Sequence, residues 1–401
     1  MKFFSREDVN SGRQTEVDCL KAFTIFLMLI VHAYEGCAEN LDNVIFEAFH
    51  FMETLTGAAT FMICMGLGMR YSRSQSPKAY LRRGLELLTV GQLLNILRDS
   101  IPSLAAYWIT GEQKYIANVL VVQTDILTFA GLAFVLTALL VRLNLSSGAL
   151  LGIGFGMNAA ALALRGLFHT TGNYALDQLL GFFIVTDAEV YFPLFSYFVF
   201  VAFGYALGGA YRRIQDKDGL STRVLQIGLP TAALYYALRL TTPLPLLPEF
   251  LSTEQYILNP LTDAAVNCLS AVSLLAVFYK LLKRNGGRIP ALAAHLSKHI
   301  NSYYCLSFLL FTPLETLMVL LWDSLLPGAV LPFLYGLLVL VICHAVIDWN
   351  ERKLGFTVTN LRGRRRVIVY SAIWLATLLI CVYAYPRIEV FATIWNDYLG
   401  V

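Results

Sequence analysis

The residues most suited to chemistry lie around the first apolar segment. Residues 13–35 read RQTEVDCLKAFTIFLMLIVHAYE, with Lys21 just before the apolar run and His32 at its end. A helix turns about 100° per residue, so the eleven steps from Lys21 to His32 bring both residues to one face, about 16 Å apart along the axis. Asp18 and Glu35 lie beside that face. Ionisable groups inside a bilayer usually mark a functional path.

His32 has the properties of a general base. A neutral imidazole accepts a proton from an alcohol or an amine, and its ordinary pKa of about 6.5 suits that role near pH 7. Glu35 follows one turn later and could orient the ring, as could Glu47 or Glu53 of the next apolar segment. The alternative is a structural hydrogen bond between helices, worth about 0.6 kcal/mol. The charged residues on the same helix face favour the catalytic interpretation.

Further polar side chains recur through the other apolar segments. Lipid-facing charge costs about 2.5–3.5 kcal/mol per residue, so we expect these groups to face a shared polar chamber. Glu47, His50 and Glu53 follow at three-residue steps and resemble metal ligands, but the second histidine of common zinc and di-iron helices is missing, and we expect no metal. The other polar residues of these segments are Gln92, Asn95 followed by Arg98, Gln123, Thr124, Asp125, Asn158, Asp263, Asn267, Asn301, Ser302, Tyr303, Tyr304, Glu315, His344 and Asp348.

The composition places these residues in a membrane. Of the 401 residues, 57% are hydrophobic and 14% are charged, whereas soluble domains carry about 25% charged residues. The 7 cysteines are scattered without a CxxC pair, which favours buried thiols over a disulfide framework or a metal cluster. Neither a G-x-x-x-x-G-K-[ST] loop nor a dinucleotide motif occurs, which argues against an ATP pump or a nicotinamide enzyme.

Eleven apolar segments are long enough to cross a bilayer, and they must do so as helices because lipid offers no hydrogen bonds to an open backbone. We therefore predict an all-α, polytopic membrane bundle of about 10–11 helices that forms a single domain over residues 1–401, with an uncleaved first span. With the N-terminus in the cytoplasm, all 30 lysines and arginines fall on the inside except Arg98, Lys114, Arg165, Arg239 and Arg387. The predicted spans are 20–40, 44–69, 84–109, 118–141, 146–165, 190–210, 224–241, 259–281, 301–322, 329–348 and 367–385.

The connections on the two sides differ in character. The inside loop at 70–83, RYSRSQSPKAYLRR, carries five positive charges, which fit either anionic lipid headgroups or the phosphates of a donor such as coenzyme A. The longer outer connections, 97–117, 166–189 and 241–258, combine aromatic residues with carboxylates and amides. These could form a carbohydrate-facing rim, although any interfacial belt has a similar composition.

Several of these motifs resemble a known family. The pattern R-x4-D-x2-K-x10-H over residues 13–32 resembles the opening signature of the membrane acyltransferase-3 family, and FMICMGLGM at 61–69 lies where that family has a phenylalanine-rich segment. QTDIL at 123–127, and FPLF and GYALG within 192–208, are more similar to the related heparan-alpha-glucosaminide N-acetyltransferase type proteins. SKHINSYYCL at 297–306 is similar to a segment found in both groups.

The resemblance implies a multi-span enzyme that moves an acetyl or other acyl group from a cytoplasmic acyl-CoA to a hydroxyl or amine on the outer side. It gives Lys21 the family's basic position and His32 that of the catalytic histidine, with Arg13 and Asp18 as the flanking signature. We accordingly predict an acyltransferase of a bacterial inner membrane. Its donor is acetyl-CoA or another acyl-CoA, and its acceptor is a glycan or another cell-envelope molecule.

The candidate residues then fall into three groups. The catalytic candidates are His32, Lys21 and Glu35. The donor-binding candidates are Arg13, Asp18, Arg70, Arg73, Arg82 and Arg83, and the substrate or oxyanion candidates are His50, Glu47, Asn95, Asp125, Ser302 and Tyr303. The expected partners are membrane lipids and the acceptor, with no nucleic acid, and the oligomeric state is open and includes a homodimer.

Two other classes of protein share these features. A transporter or flippase for a glycolipid or small anion would use His32, Glu47 and Asp125 as a proton relay. A sensor or scaffold would keep the fold without turnover. Within the enzyme interpretation, a direct transfer and a two-step route through an acyl-histidine both remain open.

Overall fold

The computed structural model describes residues 3–117, 119, 124–168, 171–186, 190–241, 259–357, 359 and 361–399. Within these ranges the chain is helical, and apart from two isolated bridges, Phe4 with Ile214 and Ala38 with Leu326, it contains no strand pairing. The all-α prediction is confirmed. The helices are α1 Thr15–Cys37, α2 Val44–Tyr71, α3 Pro77–Asn95, a π-helical turn Ile96–Ser100, α4 Ile101–Thr110, α5 Gln113–Ala117, α6 Ile126–Arg142, α7 Ser147–Phe168, α8 Tyr174–Gly181, α9 Leu194–Tyr211, α10 Lys217–Thr241, α11 Leu261–Arg284, α12 Ala291–Lys298, α13 Ile300–Trp322, α14 Val330–Lys353 and α15 Gly363–Leu399.

Eight helices of the described chain are long and apolar enough to cross a membrane: α1, α2, α7, α9, α11, α13, α14 and α15. They coincide with eight of the eleven predicted spans. The predicted span 84–109 is divided among α3, the π-helical turn and α4, and the span 118–141 contains the shorter apolar α6. The span 224–241 lies within α10, which contains Pro230 and is not among the eight. The chain is therefore a multi-pass membrane protein.

Helix α1 lies at the centre of the bundle. It contacts α2, α11, α12, α13 and α14, and Leu20, Ile25, Leu27 and Leu29 on it have no exposed surface. A helix that is apolar on all sides is stable only when neighbours or lipid surround it. The central position of α1 brings the polar residues at its two ends into contact with several neighbouring helices.

Small residues allow two pairs of helices to approach closely. On the α2–α9 contact, a Cβ atom at Gly66 would overlap the Val201 carbonyl oxygen, and one at Gly204 would overlap that of Ile63. Gly84 of α3 meets the backbone of Gly131 on α6 in a similar way. Close approach through small residues is the usual means by which helices pack in membranes.

Two local departures from regular helix orient polar side chains. At Gly57, φ of −39° and ψ of −120° kink α2, and the Glu53 side chain lies over the kink. At 96–100 the π-helical turn carries Arg98 and Asp99, which are both buried. Such π-helical turns occur often at functional sites.

Candidate active site

A cavity of about 400 Å³ opens at one end of the bundle. At this end α1 begins, α2 ends and α3 begins, and we call it the basic end because it carries Arg70, Arg82 and Arg83. Its polar lining consists of Lys21, Ser72, Ser74, Arg83 and Asn301. The apolar walls come from α2, α3, α6 and the start of α13: Phe61, Cys64, Met65, Gly68, Met69, Ala79, Tyr80, Leu87, Leu127, Ala130, Phe134 and Ile300.

The cavity has the chemistry of a site for a phosphorylated, partly apolar ligand. Lys21 and Arg83 supply cations that pair with phosphate, and guanidinium geometry suits phosphate oxygens. The walls suit an alkyl or pantetheine chain, since most small-molecule sites are apolar with a few convergent polar groups. These residues are therefore compatible with an acyl-CoA.

Only one arginine of the predicted donor-binding set lines this cavity. Arg83 does so, and it also lies 3.6 Å from Glu86, which accepts a 3.0 Å hydrogen bond from Arg82. The Arg70 guanidinium lies 5.0 Å from the centre of the Tyr205 ring and donates to the Tyr205 hydroxyl. Arg73 is exposed on the loop.

Arg13 and Asp18 form an ion pair at the basic end. Arg13 Nε donates to Asp18 Oδ2 at 2.5 Å, and its side chain is largely exposed. The other carboxylate oxygen of Asp18 accepts a 2.6 Å hydrogen bond from Ser297 Oγ of α12. Asp18 therefore links α1 to α12 close to the cavity.

His32 and Glu35 form a hydrogen-bonded pair in the other half of α1. His32 Nδ1 lies 2.7 Å from Glu35 Oε2, and the imidazole ring centre is 4.9 Å from that of Phe308. A carboxylate at Nδ1 holds the proton there and leaves Nε2 as the basic atom. Lys21 shares the cavity with Asn301 of α13, so both Lys21 and His32 face that helix.

Of the three polar residues Glu47, His50 and Glu53 on α2, only His50 and Glu53 lie near the His32–Glu35 pair. Glu53 lies close enough to His32 for an electrostatic interaction, and His50 acts in the same way on Glu35. The His50 ring stacks on Phe46 with 5.1 Å between ring centres. Glu47 is exposed on the surface of the protein.

A buried charge network also contacts Phe308. Arg98 is 4.8 Å above the Phe308 ring, donates to Asp99 at 2.8 Å and lies 3.8 Å from Asp125. The sequence places Arg98 after Gln92 and Asn95 on the third predicted span and counts it among the cations of the outer side, and the structure adds that its side chain is buried inside the bundle. The adjacent Asp99, following Asn95 in an apolar segment, was the signal available in the sequence.

Asp125 has a structural role within this network. One of its carboxylate oxygens caps α6 by accepting from the Thr128 amide at 2.9 Å, and the other accepts from the Tyr304 hydroxyl at 3.2 Å. Asn95 is fully buried at the end of α3, one residue before the π-helical turn. Gln123 lies outside the described residues, as do His169 and most of the 241–258 connection.

The structure separates Ser302 and Tyr303 from the His32 pair. The Tyr303 hydroxyl lies between His295 Nδ1 at 2.9 Å and His344 Nδ1 at 2.8 Å. Ser302 is in the first turn of α13, where its amide donates to the His299 carbonyl at 2.8 Å. Tyr304, rather than Tyr303, contacts Phe308 and Asp125.

Burial, with His344 and His299 nearby, lowers the pKa of His295, so this imidazole is neutral near pH 7.

The chain matches a known family model. The family model described as "Heparan-alpha-glucosaminide N-acetyltransferase, catalytic" matches residues 13–236, which is more than half of the chain. The matched range contains Lys21, His32, Glu35 and Arg98, and most of the cavity lining. The segment 297–306 lies outside it. No curated protein and no solved structure matches the chain.

Proposed function

Because the chain belongs to the family of the heparan-alpha-glucosaminide N-acetyltransferase catalytic domain, we propose that it transfers an acyl group from an acyl-CoA to a hydroxyl or amine. The observation that carries this proposal is the alignment of two features along α1. Lys21 lines the cavity at the basic end, and the His32–Glu35 pair lies eleven residues further along the same helix face. This separation is about 16 Å.

The donor enters the cavity from the basic end, which the distribution of lysine and arginine assigns to the cytoplasm. Its phosphates pair with Lys21 and Arg83 at the cavity, and its pantetheine arm runs along the face of α1 toward His32. Met28 lies on this face between the two residues and is partly buried. The acyl thioester is thereby brought to the His32 imidazole.

The acceptor approaches His32 from the opposite end of the bundle. His32 Nε2 takes the proton from the acceptor hydroxyl or amine as its oxygen or nitrogen attacks the thioester carbonyl carbon. The tetrahedral intermediate collapses, the carbon–sulfur bond breaks, and the coenzyme A thiolate leaves. The proton on His32 then neutralises the thiolate. Glu35 holds the Nδ1 proton and stabilises the imidazolium throughout.

The negative charge that develops on the carbonyl oxygen must be stabilised by a hydrogen-bond donor or a cation. Hydrogen-bond donors that stabilise such an oxyanion usually provide a large part of the rate enhancement. Asn95 is the candidate hydrogen-bond donor, and Arg98, which is close enough to His32 for an electrostatic interaction, supplies positive charge. The acceptor class that suits this arrangement is a glycan or another envelope molecule of a bacterial inner membrane, where the outer connections would form the rim.

The test is transfer by purified protein in lipid nanodiscs, supplied with labelled acetyl-CoA and a cell-envelope extract. We expect label in an envelope molecule, and a loss of about 10²–10⁴-fold in transfer for His32→Gln. Acetyl-CoA should still raise the melting temperature of His32→Gln, because the cavity is intact. Lys21→Gln and Arg83→Gln should raise the KM for acetyl-CoA, whereas the exposed Lys78→Gln on the same segment should not.

Other results would overturn the proposal. Undiminished transfer by a well-folded His32→Gln protein would remove the general base. A transporter would instead show proton-coupled uptake into vesicles, sensitive to His32→Gln, without consuming thioester. Label that remains covalently on wild-type protein in the absence of acceptor would indicate the two-step route.

A further inference from the structure

Three potential metal ligands meet at the basic end, outside the residues used for acyl transfer. His295 lies on α12 and His299 directly follows its last residue; the His299 amide donates to the His295 carbonyl at 3.1 Å, and the two ring centres are 4.7 Å apart. Glu351 reaches them from the last turn of α14. One ligand atom from each of the three residues lies within 4.8 Å of the other two.

The hydrogen bonds around these residues leave the ligand atoms available. His295 Nδ1 is bonded to the Tyr303 hydroxyl, which leaves Nε2 buried and without a hydrogen-bond partner among the described residues. His299 Nε2 is also buried, has no hydrogen bond of good geometry, and lies 3.2 Å from Glu351 Oε2. The contact of His295 Nδ1 with Tyr303 is of the kind that commonly holds the other ring nitrogen of a metal-binding histidine.

We propose that His295, His299 and Glu351 bind one divalent transition-metal ion of the zinc class, with a fourth position open to water. Two imidazoles and one carboxylate form a common zinc ligand set, whereas magnesium and calcium prefer oxygen ligands alone. Tetrahedral ligands at about 2.0–2.1 Å from zinc lie about 3.4 Å apart. The His299–Glu351 pair is already close to this separation, at 3.2 Å. The other distances between ligand atoms are at most 4.8 Å, so they must shorten by about 1.4 Å at most.

The alternative is an ion-pair network without a metal. Lys298 Nζ lies 2.5 Å from Glu351 Oε1, so one carboxylate oxygen already has a cation partner. Glu351 Oε2, which faces His299, is the oxygen available to a metal. Lys298 therefore competes with a metal ion for the Glu351 carboxylate. An ammonium group is not itself a metal ligand.

The position of the site indicates what a bound ion would do. It would join α12 to α14 next to Ser297, which bonds to Asp18, and shortly before Ile300 and Asn301, which line the donor cavity. The metal would thus stabilise α12 and, through it, the start of α13, which borders the donor cavity, without taking part in the transfer. The sequence analysis expects no metal from the cysteines or from Glu47, His50 and Glu53, and the ligands proposed here lie on two elements separated by α13, so they form no local motif.

The experiment uses full-length protein without a polyhistidine tag, stripped with a chelator and purified again in detergent. Zn²⁺ is titrated in competition with a chromophoric chelator, and Co²⁺ is used as a spectroscopic substitute. We expect one Zn²⁺ per chain, the intense visible absorption of tetrahedral Co²⁺, and a rise in melting temperature with Zn²⁺. His299→Gln and Glu351→Gln should each weaken Zn²⁺ binding at least tenfold and abolish the Co²⁺ absorption.

Lys298→Gln is the matched control, since it removes the competing cation from the same carboxylate. It should bind Zn²⁺ as tightly as the wild type or more tightly. The absence of stoichiometric Zn²⁺ binding would overturn the proposal. So would Zn²⁺ binding that persists in both His299→Gln and Glu351→Gln. Equal loss of stability in Lys298→Gln and Glu351→Gln, with no response to Zn²⁺ in the wild type, would identify an ion-pair network instead.

Discussion

His32 Nδ1 lies 2.7 Å from Glu35 Oε2, one helical turn further along α1. This short local contact determines which nitrogen of the imidazole is basic, because the carboxylate favours a proton on Nδ1 and leaves Nε2 to accept one from a substrate. The Phe308 ring covers one side of the imidazole. The pair therefore has the arrangement of a base and its orienting carboxylate within a single helix.

Glu35→Gln should lower kcat without a matching change in the KM for acetyl-CoA. The amide keeps the size of the side chain but cannot stabilise a positively charged imidazole, so we expect a decrease of about tenfold or more, which is ~1.4 kcal/mol. Steady-state kinetics with labelled acetyl-CoA measure it. A variant whose KM rises while kcat is retained would instead place Glu35 in donor binding.

Gly68→Leu should block the donor cavity without disturbing the fold. Gly68 lines the cavity, and a Cβ atom built there meets nothing within 4 Å, so the leucine side chain would occupy the space of the ligand. We expect loss of the acetyl-CoA-dependent rise in melting temperature and a KM increase of about tenfold or more. Gly152→Leu on α7, which also has open space at its Cβ, should leave both quantities unchanged.

Arg98→Met should destabilise the protein strongly. Removing the cation leaves Asp99 and Asp125 buried close together, and breaking a buried ion pair costs about 3–5 kcal/mol. We expect low yield and a lower melting temperature in detergent. The control is Arg352→Met, which removes a largely exposed pair with Asp348 and should cost less than about 1 kcal/mol. Equal melting temperatures for the two variants would contradict the structural role of the network.

Gly204→Val should disrupt the contact between α2 and α9. The Cβ atom would overlap the backbone of Ile63, which cannot move without separating the two helices. We expect loss of monodisperse protein in size-exclusion chromatography, because overpacking typically costs about 1–3 kcal/mol or more. Gly156→Val, whose Cβ would meet nothing within 4 Å, should elute as the wild type does. Normal elution of Gly204→Val would show that this contact tolerates separation.

The spacing of residues along single helices was readable from the sequence. Helical periodicity places Lys21 and His32 on one face and Glu35 beside it, and the structure has both basic residues next to α13. Hydropathy likewise predicts the all-α bundle, and eight of the predicted spans coincide with helices that can cross a membrane. These features depend on one segment at a time, so local sequence is sufficient.

Contacts between helices were decided only by the tertiary structure. Whether Tyr303 or Tyr304 faces Asp125 depends on the rotation of α13, and the burial of Arg98 depends on the π-helical turn that carries it into the bundle. His295 and His299 meet Glu351 across two helices. Such rotations and approaches are set by packing at small residues and by backbone irregularities, whose geometric effect cannot be derived from residue spacing along one helix.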